Sequence, residues 1–266
     1  MKAYLSLFRI RFYVLLQYRA AAFAGFFTQF FFGFVRVMVF QAFYQSSTQQ
    51  QPMSFTQAAT YTWLIQATFR MMPWNSDTEV IGQIRSGNVA YELCRPMNLY
   101  GNWYCRLMAM RIVPTLMAGI PLFIITLLLP LPYRTDLPIS ISSGMAWLIS
   151  MLAALLLGCA ISNLITISTL WTLAGDGMQR IFPVLVMVLS GMTIPLAFFP
   201  DWMQMALRFL PFSGVADTPF RFYIGMIPPS QILTFLFLQI FWTAFFVFLG
   251  LHLLKIATRR VVIQGG

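Results

Sequence analysis

The sequence predicts an all-α integral membrane protein with six transmembrane helices. Three observations carry that prediction. Of the 266 residues, 59% are hydrophobic and 9% are charged, against about 25% charged in soluble domains. The apolar residues fall into six runs long enough, at about 1.5 Å rise per residue, to cross a hydrocarbon core of about 30 Å. Basic residues cluster at the ends of those runs and form no continuous stripe. No long polar block remains for a second domain, so residues 1–266 read as one membrane domain.

Residues 2–19 read as an N-terminal interfacial helix. Lys2, Ser6, Arg9, Tyr13 and Gln17 recur at helical spacing as a polar stripe, and Leu5, Phe8, Phe12, Leu15 and Leu16 cover much of the rest. That is the pattern of a helix lying in the headgroup plane. Arg11 falls outside the stripe, and a plain extension of the first span is the alternative. The first span covers about 20–44 and contains Arg36 beyond its centre. A central charge costs about 2.5–3.5 kcal/mol on insertion scales. Arg36 is therefore expected to snorkel to the headgroups or to meet a polar partner, with a translocation-path or subunit-interface role as the alternative. Ala21 and Gly25 form a small-xxx-small pair suited to a helix contact. The second span, about 55–72, holds Thr56, Gln57, Thr60, Thr62, Gln66 and Thr68, and should face protein or water rather than lipid.

The stretch from Pro73 to Leu99 is different in kind, holding Asp77, Glu79 and Glu92, three of the seven acidic residues. Ser76 or Asp77 can cap a helix with Glu79 in its first turn. Val80, Ile81 and Ile84 share one side of it. Ser86-Gly87-Asn88 breaks it, a second short helix runs from Val89 to Cys94, and Arg95-Pro96 ends that one because the residue before proline leaves the helical region. The apolar residues Val80, Ile81, Ile84, Val89, Tyr91 and Leu93 are expected to meet a partner. Glu79, Arg85 and Glu92 would rim that contact and set its register. A solvated loop is the bland alternative.

Residues 100–111 continue helically into the third span, about 112–131, where Pro114 and Pro121 are candidate kinks. An outer turn comes next, at 132–142. The fourth span, about 144–172, carries Ala154, Gly158 and Ser162 at every fourth position, which suits close packing; Asn163, Thr166 and Thr169 can hydrogen-bond across helices. Gly175-Asp176-Gly177 reads as a tight turn before the fifth span, about 181–199. A helix over 201–210 rises only about 15 Å, and Pro211, Pro219, Pro228 and Pro229 divide the residues from 211 to 230. Trp202, Phe209, Phe212, Phe220, Phe222 and Tyr223 suit a membrane interface. Residues 200–230 therefore read as an outer re-entrant helical hairpin. The sixth span, about 231–254, is stopped by Lys255, Arg259 and Arg260.

With the N-terminus inside, thirteen basic residues lie on the inner side and three (Arg134, Arg208, Arg221) on the outer, with Arg36 in the membrane. Both termini are then cytoplasmic. The net charge of +10 is explained by this bias, and no basic stripe with interleaved aromatics points to nucleic acid. Cys94, Cys105 and Cys159 form no Cys-x-x-Cys pair, and His252 is the single histidine, so no zinc site is expected. The only lysines, Lys2 and Lys255, belong to no P-loop. No set of intramembrane acids, bases or nucleophiles supports an enzyme. Arg36 alone is a poor basis for an ion-coupled carrier. Transport remains the best class, with its energy arriving from outside the chain.

The layout resembles the type-2 ABC exporter permease family. Four features carry the resemblance: the helix of residues 2–19; Glu79 to Pro96, with Ile84-Arg85-Ser86-Gly87 and Leu93-Cys94-Arg95-Pro96-Met97; Ser190-Gly191-Met192 through Pro195 and Pro200 to Leu210-Pro211-Phe212; and the short basic C-terminus. The Arg-x-Gly and Leu-x-Arg-Pro pieces are similar to the bacterial subgroup whose permeases often pair as non-identical subunits. The resemblance implies one half of an exporter in a bacterial cytoplasmic membrane. It implies a coupling-helix loop formed by Glu79, Val80, Ile81, Ile84, Arg85, Val89, Tyr91, Glu92, Leu93 and Arg95, and an outer gate formed by Pro195, Pro200, Asp201, Trp202, Phe209, Pro211 and Phe212. The implied partners are ABC ATPase subunits and a second permease subunit, identical or a paralogue. The chain itself needs no cofactor; ATP and Mg would sit on the ATPase. A membrane scaffold or channel subunit that recruits a soluble partner through residues 73–99 is the alternative.

Overall fold

The computed structural model describes residues 2–73, 76–94, 96–172 and 177–259, and these are helical with no strand among them. Among the described residues four stretches are long and apolar enough to cross a membrane: Arg19–Ser46, Leu99–Leu127, Ile141–Trp171 and Pro229–Thr258.

Helix α1 (Lys2–Leu16) leads into α2 (Arg19–Ser46), which buries Gly25, Gln29, Gly33 and Val37, one residue per turn, against its neighbours. Ala21 is exposed, so the close-contact stripe begins at Gly25 and runs on to Gly33. α3 (Phe55–Thr68) starts on a capping box between Ser54 and Gln57 and is buried on all sides from Ala58 to Thr68. Its threonines and glutamines are thus spent inside protein, where Thr62 and Thr68 donate to the carbonyls one turn back. A 3-10 turn over Phe69–Met71 ends it.

Two short helices come next, α4 (Thr78–Arg85) and α5 (Val89–Leu93), separated at Gly87, whose φ of 77° needs glycine. Arg95 lies outside the described residues.

The third apolar run is helical from Leu99, with residues 100–111 leading into it as expected, and it ends at Leu127 rather than at 131. α6 (Leu99–Pro114) opens at the Asn98 cap, passes through a π-helical turn at Thr115–Gly119, and continues as α7 (Ile120–Leu127). Pro114 and Pro121 flank the π turn. A proline removes the N–H and crowds the carbonyl four residues back, and a widened turn relieves that crowding. The same turn brings Gly119 onto α3, where an added Cβ would lie 2.1 Å from the Ala67 carbonyl oxygen. Backbone cannot yield as a side chain does. Gly119→Ala is expected to cost about 1–3 kcal/mol, seen as a lower unfolding midpoint of the purified protein; an unchanged midpoint would contradict the contact.

α8 (Ile141–Thr172) is the central post. Ala154, Ser162 and Asn163 are buried along it, and Asn163 donates to the Tyr100 carbonyl at 3.3 Å. α12 (Ile232–Thr258) packs beside it, and Gln239 of α12 donates to the carbonyls of Ser150 (3.0 Å) and Gly214 (2.7 Å).

The fifth apolar run is helical only from Gly177 to Leu189, as α9. The expected span over 181–199 is corrected here: Gly191 has φ 82°, and the chain then turns through a 3-10 segment at Leu196–Phe198. The apolar composition continues past the point where the helix stops, so hydropathy misses the break. The expected turn at Gly175-Asp176-Gly177 lies largely outside the described residues.

After Pro200, α10 (Asp201–Phe209) and α11 (Asp217–Tyr223) are two separate short helices. Pro219, expected to interrupt this stretch, sits in the first turn of α11, where its missing N–H has no intrahelical acceptor to lose. α11 is buried against α8.

Candidate functional site

The polar stretch after α3 is clamped to the bundle by carboxylates. Asp77 caps α4 by accepting from the backbone N–H of Glu79 (3.1 Å) and Val80 (3.3 Å). Its other oxygen lies 2.7 Å from Arg106 Nε on α6. Glu79 meets Arg11 of α1 through both guanidinium nitrogens, at 2.9 and 3.0 Å, and Arg106 Nη2 at 2.8 Å. α1, α4 and α6 are therefore joined by one network of two carboxylates and two arginines. Arg11, the residue that spoils the amphipathic stripe of α1, makes the contact. Tyr4 reinforces it: its ring lies over Gly101, and its hydroxyl accepts from the Asn98 N–H at 3.1 Å.

The hydrogen bonds from Arg11 and then Arg106 hold the Glu79 carboxyl down at about 2, from an ordinary 4.5. A lowered carboxyl pKa adds stability that is complete above the ordinary value and lost as pH falls through the folded one. Wild type is expected to exceed Glu79→Gln in thermal stability by a constant margin above pH 4.5, with the margin vanishing toward about pH 2. Glu79 is half exposed, so solvent keeps the margin small. A margin that persists below pH 2 would contradict the ion pair as its source.

The apolar residues of α4 and α5 do not all face outward, which corrects the expectation of an unburied helix pair. Val80, Ile84 and Val89 pack with Leu99, Tyr100, Trp103, Ile167 and Leu254 in a cluster shared by α6, α8 and α12, and Ile81 is also buried. Glu92 is no rim residue: it is 8% exposed and accepts from Asn102 Nδ2 at 2.6 Å. Thr78, Glu79 and Cys94 remain exposed, as does a tip formed by Gly82, Arg85 to Asn88, Tyr91 (75%) and Leu93 (46%).

Two of the cavities among the described residues bear on transport. One, an open cavity of about 660 Å³, is bordered by α1, α2, α3, the turn after α3, α6 and α9 and lined by Arg36, Arg70 and Arg111 with Gln29 and Gln66. The other, about 1040 Å³, lies between α2, the 49–52 turn and the broken segment after α9. Arg36 lines both. Its Nη1 donates to the Met192 carbonyl at 2.9 Å, a carbonyl freed from helix bonding by the break at Gly191. Arg36 thus has the polar partner expected of it. Among the described residues no group of His, Cys, Asp or Glu is placed to hold a metal ion.

The family model described as ABC-2 family transporter protein matches residues 30–265. The chain belongs to the ABC-2 transporter family. No curated protein and no solved structure gives a match. An ABC-2 chain of this kind is a membrane transport subunit rather than an enzyme. Residues 2–29, including α1 and Arg11, precede the matched region.

In this ABC-2 protein the residues expected at the outer gate divide into two sets. Pro195 and Pro211 are buried and Phe212 half-buried, whereas Pro200, Asp201, Trp202 and Phe209 are exposed. Gln204 fastens α10 by donating to the Ala197 and Phe199 carbonyls at 3.2 and 2.7 Å. Sequence reading missed Asp217. It is buried, its N–H donates to the Ser190 carbonyl, and its Oδ1 accepts from the Leu196 N–H and lies 3.0 Å from the Tyr61 hydroxyl. Asp217 therefore pins both sides of the helix break to α11 and α3. Its one advance signal was an acid placed two residues before a proline, the composition of a helix start.

Proposed function

We propose that this chain is the permease subunit of an ATP-driven ABC exporter, forming half of a translocation pathway and receiving its energy from a separate ATPase docked on the α4–α5 tip. The observation that carries the reading is the clamped helix pair with its exposed tip. A push on Tyr91 or Leu93 meets a unit fixed by ion pairs to α1 and α6 and by apolar packing to α8 and α12, so it moves helices rather than deforming a loop. The family match supports the transport class. ATP and Mg belong to the partner ATPase on this reading, and a second permease subunit, identical or a paralogue, completes the pathway.

On the same reading the chain makes six crossings, with α3 and α9 as the shorter two, both termini cytoplasmic and the α10–α11 hairpin at the outer face of a bacterial cytoplasmic membrane. α3 is sheathed by protein, which supports a crossing of below-average hydropathy. The exposed face of α10, Trp202, Met205 and Phe209, suits lipid or the second subunit at the outer gate. Single cysteines at Asn88 and Gln50 test the arrangement in intact cells: an impermeant reagent is expected to label Gln50→Cys and spare Asn88→Cys. Labelling of Asn88→Cys from outside would contradict it. ATP-dependent export by the reconstituted permease–ATPase complex tests the activity, and a purified complex that hydrolyses ATP without moving any solute would favour a scaffold.

A further inference from the structure

We propose that the cavity of about 660 Å³ binds the anionic headgroup of an amphiphile, so that the exported substrate class is an amphipathic anion. The transport step rests on the exporter reading above; the binding step does not.

Three guanidinium groups line this cavity, and among the described residues none has a carboxylate within 4.0 Å. Arg111 is 3% exposed. Its Nη2 donates to Ser162 Oγ, its Nη1 makes one long bond of 3.4 Å to the Leu107 carbonyl, and its buried Nε has no partner. Among the described residues Arg36 has the Met192 carbonyl alone. Arg70 has no hydrogen-bond or ion-pair partner among the described residues and lies across Gly25, where a Cβ would come within 3.4 Å of its Nη2. Four arginines outside the cavity, Arg11, Arg106, Arg134 and Arg221, each meet an acid.

An arginine does not shed its proton to escape burial. Arg111, buried without a counter-charge, is the costly one of the three, and an anion in the cavity lowers that cost. The cavity has the size of a small-molecule site, and the amides of its Gln29 and Gln66 can donate to the same anion. The remaining wall includes Phe32, Phe69, Met72, Met110 and Met187. Phenyl rings and flexible thioethers suit an apolar tail of undefined shape. A headgroup in the arginine cluster with its tail along this wall satisfies both halves.

The test is equilibrium binding by the full chain in nanodiscs of phosphatidylcholine, with dodecyl phosphate and dodecyl maltoside as probes. The phosphate is expected to bind roughly tenfold or more tightly than the maltoside, as charge-assisted hydrogen bonds require. Arg70→Gln, at an exposed residue that bonds nothing among the described residues, should keep the melting temperature and lose most of that preference. Arg36→Lys should retain it. Equal affinity for the two probes in wild type, or a preference untouched by Arg70→Gln, overturns the proposal. Phosphatidylglycerol added to the nanodiscs identifies the source: displacement of the probe makes a membrane lipid the occupant, and no displacement makes it a separate amphiphile. The assay contains no ATPase, so loss of the exporter reading would leave its result standing, and export without anion preference would remove this proposal alone.

Discussion

Arg106→Met is expected to be the most damaging single substitution in the ion-pair network, costing about 3–5 kcal/mol. Arg106 is 4% exposed and lies 2.7 Å from the buried Asp77. Methionine fills similar space but leaves Asp77 as a buried charge with only its helix-cap bonds, and removes one of the two cations at Glu79. The loss is local before it is global, because the cluster around Trp103 still holds the far side of α4. Limited proteolysis should therefore cut within residues 76–94 of the variant and spare the wild type. The double variant Arg106→Met with Asp77→Asn should recover part of the loss, since asparagine still caps a helix and carries no charge. A double variant as damaged as the single one would show that the charge at Asp77 is not what Arg106 balances.

Tyr91→Asp with Leu93→Asp is expected to release the ATPase, or to uncouple its hydrolysis from export, while the chain inserts and melts as wild type does. Both side chains are exposed and join no internal cluster. A few residues of this kind carry most of the energy of an interface, and losing them costs about 2 kcal/mol or more, on the order of thirtyfold in affinity. Ile84 would be the wrong place for the same test: it is buried in the cluster under α4, so an aspartate there damages the fold rather than the surface. Co-purification with the ATPase and transport at the wild-type rate would refute the coupling assignment.

The helices were legible because their causes are local. Apolar runs, the Asp77 cap, Gly87 and the prolines around residues 114–121 each act within a turn or two of their own position. What covers an apolar face is a long-range fact, and there the sequence misled. The stripe Val80, Ile81, Ile84 reads the same whether its cover is another protein or α6, α8 and α12. Arg11 and Glu92 illustrate the same limit. One spoils a periodic pattern and the other completes a charged rim, and each is explained only by a partner elsewhere in the chain, Glu79 or Asn102. The end of α9 was hidden because hydropathy continues through Gly191 while its φ turns the chain aside. Of the residues expected to couple, the exposed set is Glu79, Arg85, Tyr91 and Leu93; Val80, Ile81, Ile84, Val89 and Glu92 support the tip from beneath.

The central claim is that the α4–α5 tip is where an ATPase docks, and a photoreactive amino acid placed at Tyr91 of the full chain in living cells tests it most directly. Tyr91 is the most exposed large side chain of the pair, so the probe need not disturb the fold. On irradiation an adduct between this chain and an ABC ATPase is expected, absent when the probe is moved to the buried Ile84. Adducts formed only with lipid, or only with proteins that bind no nucleotide, would contradict it.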